Sequence, residues 1–170
     1  MSKAAFLKVL GGLAAACVAV SAYVITQQHI EQLLICADSG GLKLPFSKDL
    51  CKAYLLQARG TPEDIAVLQS GIGASFVVQG QASPDERLQI LRFLQLKGLD
   101  INHLDAEKLT PLHASVLANR PDEVKILLQA GADKARKDAQ FNLTPVELAL
   151  KLQGESQTPN GWQSVIDLLR

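Results

Sequence analysis

The chain has 170 residues, 17 basic and 17 acidic side chains, and a composition that is 48% hydrophobic but only 5% aromatic. Zero net charge leaves no basic field for nucleic acid. A core drawn from Leu, Ala, Val and Ile favours close-packed helices over an aromatic-rich β-sandwich, and the length suits one modest domain with an appendage.

The appendage comes first. "MSKAAFLKVLGGLAAACVAVSAYVITQQ" places Lys3 and Lys8 before an uncharged run from Val9 to Thr26. A positive start followed by an apolar stretch near the lower length limit for a spanning helix reads as a secretory signal or a membrane anchor over residues 1–26. Small side chains at Val20–Ala22 suit cleavage before Tyr23. "AAAC" ending at Cys17 resembles a lipobox only weakly, because Ala14 stands where a larger aliphatic residue is usual. In either export reading the two lysines stay cytoplasmic and the remainder is translocated, with 15 basic against 17 acidic residues.

Residues 27–46 are expected to hold a juxtamembrane helix, with helical spacing at Ile30, Leu33, Leu34 and Ala37, and a linker beginning at Gly40 and Gly41. Cys36 and Cys51 flank this turn-rich segment. They are read as a disulfide, with two buried thiols as the alternative; no CxxC or histidine cluster supplies a metal site, and no metal or cofactor is expected.

Residues 47–170 form the expected repeat domain. Ser47 is placed as the N-cap of a helix ending near Gly60, with Leu50, Tyr54 and Leu55 on one face. "TPED" at Thr61–Asp64 supplies a capping hydroxyl, a proline in the first turn and dipole-favoured acids, predicting a helix that stops at Gly71. "SPDE" at Ser83–Glu86 repeats the device and opens a helix running to Gly98. Between them "GIGASFVVQG" reads equally as strand, loop or degenerate helix.

The chain then repeats itself. "LRFLQLKGLDIN" (Leu91–Asn102) aligns with "VKILLQAGADKA" (Val124–Ala135) at a spacing of 33 residues, Gly98 matching Gly131. "LTPLHAS" (Leu109–Ser115) aligns with "LTPVELA" (Leu143–Ala149) at 34. Each unit holds a turn, a Thr-Pro-capped helix, a tight connection, a second helix and a glycine. "SVIDLLR" at the C-terminus offers another copy of the second helix.

"TPLHAS" followed by "VKILLQAGAD" resembles an ankyrin repeat, over roughly Asp85–Arg170 and most clearly over residues 84–152. Three positions depart from the family pattern. Ser115 replaces the usual alanine, Lys108 the usual turn glycine, and "TPVE" the second "TPLH", which puts the histidine-linked bonds of the second unit in question. The resemblance implies an all-α solenoid of helix-turn-helix repeats after the N-terminal hydrophobic helix. It also implies a structural role for His113, bonded to the Thr110 hydroxyl and neighbouring backbone, and partner binding through turn tips and the concave face of the first helices. Carried onto this chain, the tips are His103, Leu104, Ala106, Glu107 and Lys108 in one unit. In the next they are Arg136, Lys137, Ala139, Gln140, Phe141 and Asn142.

Catalytic signatures are lacking in the sequence: there is no GxSxG, no HExxH and no recognisable Cys-His pair. Acids in "PED" and "PDE" suit helix first turns, and "NLT" at Asn142–Thr144 has a capping explanation. Trp162 is expected as a lid over the end of the stack. The sequence therefore points to a non-catalytic protein-binding module, periplasmic or anchored in an inner membrane with its repeats outside the cytoplasm. Its protein partner would be a toxin or an envelope enzyme, bound by an immunity-type inhibitor; the alternative is a tethered scaffold or assembly factor for an envelope complex.

Overall fold

The computed structural model describes residues 19–20, 22–39, 47–156 and 161–170. Most of the expected signal or anchor segment lies outside these residues. No helix among the described residues is long and apolar enough to cross a membrane. Residues 22–26 are helical, and Ile25, at 2% exposure, joins the main hydrophobic core.

Nine further helices follow among the described residues: α1 Ile30–Ser39, α2 Ser47–Ala58, α3 Pro62–Ser70, α4 Ala74–Val78, α5 Pro84–Leu96, α6 Pro111–Leu117, α7 Pro121–Gln129, α8 Pro145–Glu155 and α9 Gln163–Leu169. No strand occurs among the described residues. Helix starts follow local chemistry. Thr61, Ser83 and Thr144 each accept a backbone N–H from the residue three positions on, whose own carboxylate reaches back to the cap, and a proline opens each helix. Thr110 caps α6 in the same way through the His113 N–H. Gly131 ends the α7 turn at φ +89°, a left-handed conformation that a side chain would resist.

Three helix pairs, α4/α5, α6/α7 and α8/α9, pack side by side. First helices α4, α6 and α8 contact one another in one layer, and second helices α5, α7 and α9 do so in another. Neither layer is stable alone, because each pair presents an apolar face that only its neighbour covers. Leu91, Leu94, Leu112, Val116, Val124, Leu127, Leu148, Ala149 and Val165 form the continuous seam, each at most 2% exposed. The ambiguous "GIGASFVVQG" contains α4, a five-residue helix with Val77 and Val78 buried.

An α1–α2–α3 cap closes the N-terminal end of the stack. A disulfide joins Cys36 to Cys51, with Cα atoms 5.8 Å apart. Helix α1 buries Ile30, Leu33, Leu34, Cys36 and Ala37 in the same core as the repeats. The expected face of α2 is rotated. Ser47, Cys51 and Leu55 are buried, one turn apart, whereas Leu50 is 43% exposed. Pairing Cys51 with α1 turns that side inward and sends Leu50 to solvent.

Polar ties hold the cap down. Arg59 donates through Nη1 to the Gln28 carbonyl oxygen (2.7 Å) and through Nε to Asp64 Oδ2 (3.0 Å), while Nη2 engages Asp64 Oδ1. Asp64 also accepts the Gly60 and Thr61 N–H groups. The Arg59 bond, followed by these backbone donors, lowers the Asp64 carboxyl to about 2 despite its burial. Lys48 and Lys52 of α2 reach Glu86 at 3.3 and 3.0 Å, joining the cap to α5. Asp38 accepts from the Gln81 and Ala82 N–H groups. Its carboxylate sits so close to Gly80 that a Cβ there would meet Oδ1 at 2.5 Å, so a side chain at this position would push the Asp38 carboxylate off its bonds.

Candidate functional site

Two loops, 99–110 and 132–144, project from the first helices and carry all the tip residues expected from the sequence. Each is built around an aspartate. Asp105 accepts the Glu107 and Leu109 N–H groups through Oδ1, both at 2.9 Å, and its own N–H donates to the Leu109 carbonyl oxygen. Asp138 does the same one unit later, accepting from Gln140, Phe141 and Leu143 while its N–H donates to Leu143 O. Three backbone donors hold the Asp138 carboxyl below the usual range against the opposing pull of burial, and His113 adds to them. A short acceptor drawing two or three of the following backbone amides onto itself is ordinary turn chemistry for aspartate. The pair Asp105 and Asp138 lies 33 residues apart, a repeat that the chain displays but that the sequence reading did not use.

Lys108 and Asn142 take φ values of +62° and +57° at corresponding points of the two tips. Lysine thus adopts the left-handed turn conformation without glycine, at a local cost in strain of about 1 kcal/mol.

The loops are stitched to each other. The Ala139 N–H donates to the Lys108 carbonyl oxygen at 3.0 Å, and the Asp133 N–H donates to Asn102 Oδ1 at 2.9 Å. Beneath the tips, His113 is fully buried. Its Nε2 lies 2.9 Å from the Leu143 carbonyl oxygen and its Nδ1 2.7 Å from Thr110 Oγ1. A carbonyl can only accept, so Nε2 carries the proton and Nδ1 accepts from the Thr110 hydroxyl. Burial lowers the imidazole pKa, against the raising effects of the Leu143 carbonyl and Asp138. With both nitrogens engaged and no solvent access, this histidine positions the loops.

The second unit handles the same position differently. Glu147 replaces the histidine and accepts from the Thr144 N–H (2.8 Å) and hydroxyl (2.9 Å). It makes a local cap in place of a bridge to a following loop.

The tip side chains divide by exposure. Ala106, Glu107, Lys108, Arg136, Lys137, Ala139, Gln140, Phe141 and Asn142 are exposed, whereas His103 and Leu104 are half-buried. Phe141 is 38% exposed and the Lys151 ammonium stands 5.7 Å from its ring centroid, so a cation already covers one face. Arg136 and Lys137 form no ion pair among the described residues. Leu117 of α6 and Leu150 of α8, 43% and 48% exposed, add apolar area on the first-helix layer, and neither is singled out by the sequence. At the C-terminal end Trp162 donates from Nε1 to the Val116 carbonyl oxygen at 3.0 Å, and its N–H donates to Gln153 Oε1. No group of three or more His, Cys, Asp or Glu among the described residues is arranged to hold a metal ion.

Comparison with known proteins agrees with this architecture. Residues 94–149 match the family model described as ankyrin repeats (many copies). The chain is 28% identical over 124 residues to the B-cell lymphoma 3 protein homolog of Mus musculus, an alignment covering 72% of this chain and 24% of that protein. It is 42% identical over 60 residues to the glycerophosphocholine phosphodiesterase gde1 of Schizosaccharomyces pombe, covering 35% of this chain and 5% of that one. The chain thus spans a quarter or less of these curated relatives. What is shared is ankyrin repeats, and repeats of this kind point to a module that binds proteins.

Proposed function

We propose that this chain is a non-catalytic protein-binding module that grips its partner with the tips at 102–108 and 133–142 and with the neighbouring exposed side of α6 and α8. The carrying observation is the stitched pair of tips. Ala139–Lys108, Asp133–Asn102 and His113–Leu143 hydrogen bonds hold two successive loops in one arrangement before any partner arrives. Pre-ordering of this kind removes an entropic cost from association. Exposed Phe141, Arg136 and Lys137 supply the aromatic and cationic anchors that concentrate binding energy at interfaces.

The same reading places the module on the outer side of a membrane, exported or anchored there. Lys3 and Lys8 before the apolar run support this, as does a disulfide within the cap, since such bonds persist in oxidising compartments. The specific role is an immunity-type inhibitor of an envelope-targeted toxin. The rival role, a tethered scaffold for an envelope complex, draws on Ile25 and Gln28, which fasten the end of the apolar run directly to the domain.

A photo-crosslinker substituted at Phe141 in the full chain tests the reading. A single enriched partner is expected, lost when Arg136 and Lys137 are both changed to Glu. If crosslinks form equally well from a site on the opposite helix layer, such as Leu96, the tips are not the binding surface. Co-expression with a captured toxin separates inhibitor from scaffold.

A further inference from the structure

A cleft runs between α1, α4, α5 and the α6–α7 turn, on different elements from the tips. One half, about 300 Å³, is apolar and walled by Leu34, Ile35, Ile72, Phe76, Val77 and Ile90. The other, about 400 Å³, is polar and bounded by Arg87 and residues 119–123. The halves share Gln79, Gly80, Gln81 and Arg87, so they adjoin at these residues. Volumes in this range are those of small-molecule sites.

Arg87 stands at the junction with most of its donors unspent. Nη1 donates to the Val78 carbonyl oxygen, Nε is buried without an acceptor, and Nη2 has none among the described residues. The neighbouring carboxylates are already used. Asp38 is held by the Gln81 and Ala82 N–H groups; Glu123 accepts the Ser115 hydroxyl and lies 3.5 Å from Arg120. Glu123 feels the Arg87 charge but makes no hydrogen bond to it, so a guanidinium inside a cleft with donors left over can still take a planar, singly charged acceptor. A phosphate fits poorly, because Asp122 and Glu123 line the same half and oppose a second negative charge. A peptide main chain fits the other half poorly. Its aliphatic and aromatic walls offer few partners for backbone N–H and C=O groups.

We propose that this cleft binds a free fatty acid of medium chain length, its carboxylate forked onto Arg87 and its alkyl chain lying along Ile35, Ile72 and Phe76. Exposure of Ile35 and Ile72, at 49% and 43%, leaves the apolar half open for entry.

The test is calorimetric titration of the full chain with octanoate, with octanol, and with an apolar tripeptide bearing a free C-terminus. Saturable one-to-one binding of octanoate is expected, with octanol and the tripeptide each at least tenfold weaker. Arg87→Gln should weaken octanoate binding at least tenfold. Because that change also removes the Val78 bond, Ile72→Glu on the exposed wall provides a second arm, expected to abolish binding with the melting temperature unchanged. Absence of saturable octanoate binding, equal affinity for octanol, tighter binding of the tripeptide, or full affinity in Ile72→Glu would each overturn the assignment.

Discussion

His113 Nε2 donates to the carbonyl oxygen of Leu143 across 30 residues of chain, from the first helix of one unit to the base of the next unit's tip. The bond joins two repeats through a side chain with no exposed surface, and its other nitrogen is tied to the Thr110 cap. Replacing His113 with Ala leaves the Leu143 carbonyl oxygen and Thr110 hydroxyl without this partner and opens a void. Destabilisation of about 3 kcal/mol is expected in denaturant titration. A loss below about 0.5 kcal/mol would show that the bridge is ornamental.

The same histidine sets a pH dependence. Its folded pKa is depressed by burial, so between that value and 6.5 the unfolded chain binds more protons than the folded one. Its contribution is complete above 6.5 and is lost as pH falls from there. Asp64 and Glu86, both lowered to about 2 in the folded chain, lose their contributions only at lower pH, below 3.8 and 4.5 respectively. Glu123, raised by burial, works in the opposite sense. Melting temperature should therefore fall from pH 6.5 to 5 in the parent chain, and His113→Gln should flatten that slope. An unchanged slope in the variant would assign the effect elsewhere.

Arg59 and Asp64 fasten residues 22–28 to the start of α3. Asp64→Asn removes the charge that the largely buried guanidinium faces, at 15% side-chain exposure, and is expected to cost about 3 kcal/mol. The parent chain should also lose stability as pH falls from 3.8 towards about 2, where folded Asp64 takes up its proton. Hydrogen exchange checks both: protection at Gly60 and Thr61 should collapse in the variant while Leu127 and Leu148 stay protected.

Cys36 and Cys51 enclose a loop with a sequence separation of 15. Replacing both with Ser should lower stability by about 3 kcal/mol in the chain-entropy model. The loss should be confined to the cap. Uniform loosening of α6–α9 by hydrogen exchange would contradict a cap that merely closes one end.

Asp138→Ala releases the amides of Gln140, Phe141 and Leu143 together. We expect faster amide exchange at these positions and about 2 kcal/mol of destabilisation, with weaker capture of any partner that uses Phe141. Full retention of amide protection in the variant would mean the tip is shaped by something other than Asp138.

Much of this architecture could be read from local rules. Thr61, Ser83, Thr110 and Thr144 announce helix starts because a hydroxyl before proline satisfies an orphan N–H wherever it occurs, and Gly131 stops a helix by its own torsion preference. The rotation of α2 could not be read that way. Leu50 looks like core by its chemistry, but the covalent bond from Cys51 to the preceding helix decides which side turns inward. Helix α4 was ambiguous because five residues between Gly71, Gly73 and Gly80 are too few to display a period. Leu117 and Leu150 were missed for a related reason: periodicity identifies an apolar face but not the depth at which each member sits. The tip positions were placed on the loops by family resemblance. Their rigidity was not legible, since it comes from Asp105 and Asp138, two ordinary turn residues in a linear reading.

Trp162 is the chain's one tryptophan, and its indole N–H is anchored to Val116 O in the preceding unit. Emission from that ring consequently watches a single seam. A red shift would signal peeling of the final helices, while events confined to the far disulfide-bearing end would leave the spectrum silent, so fluorescence and calorimetry together can tell which extremity melts first.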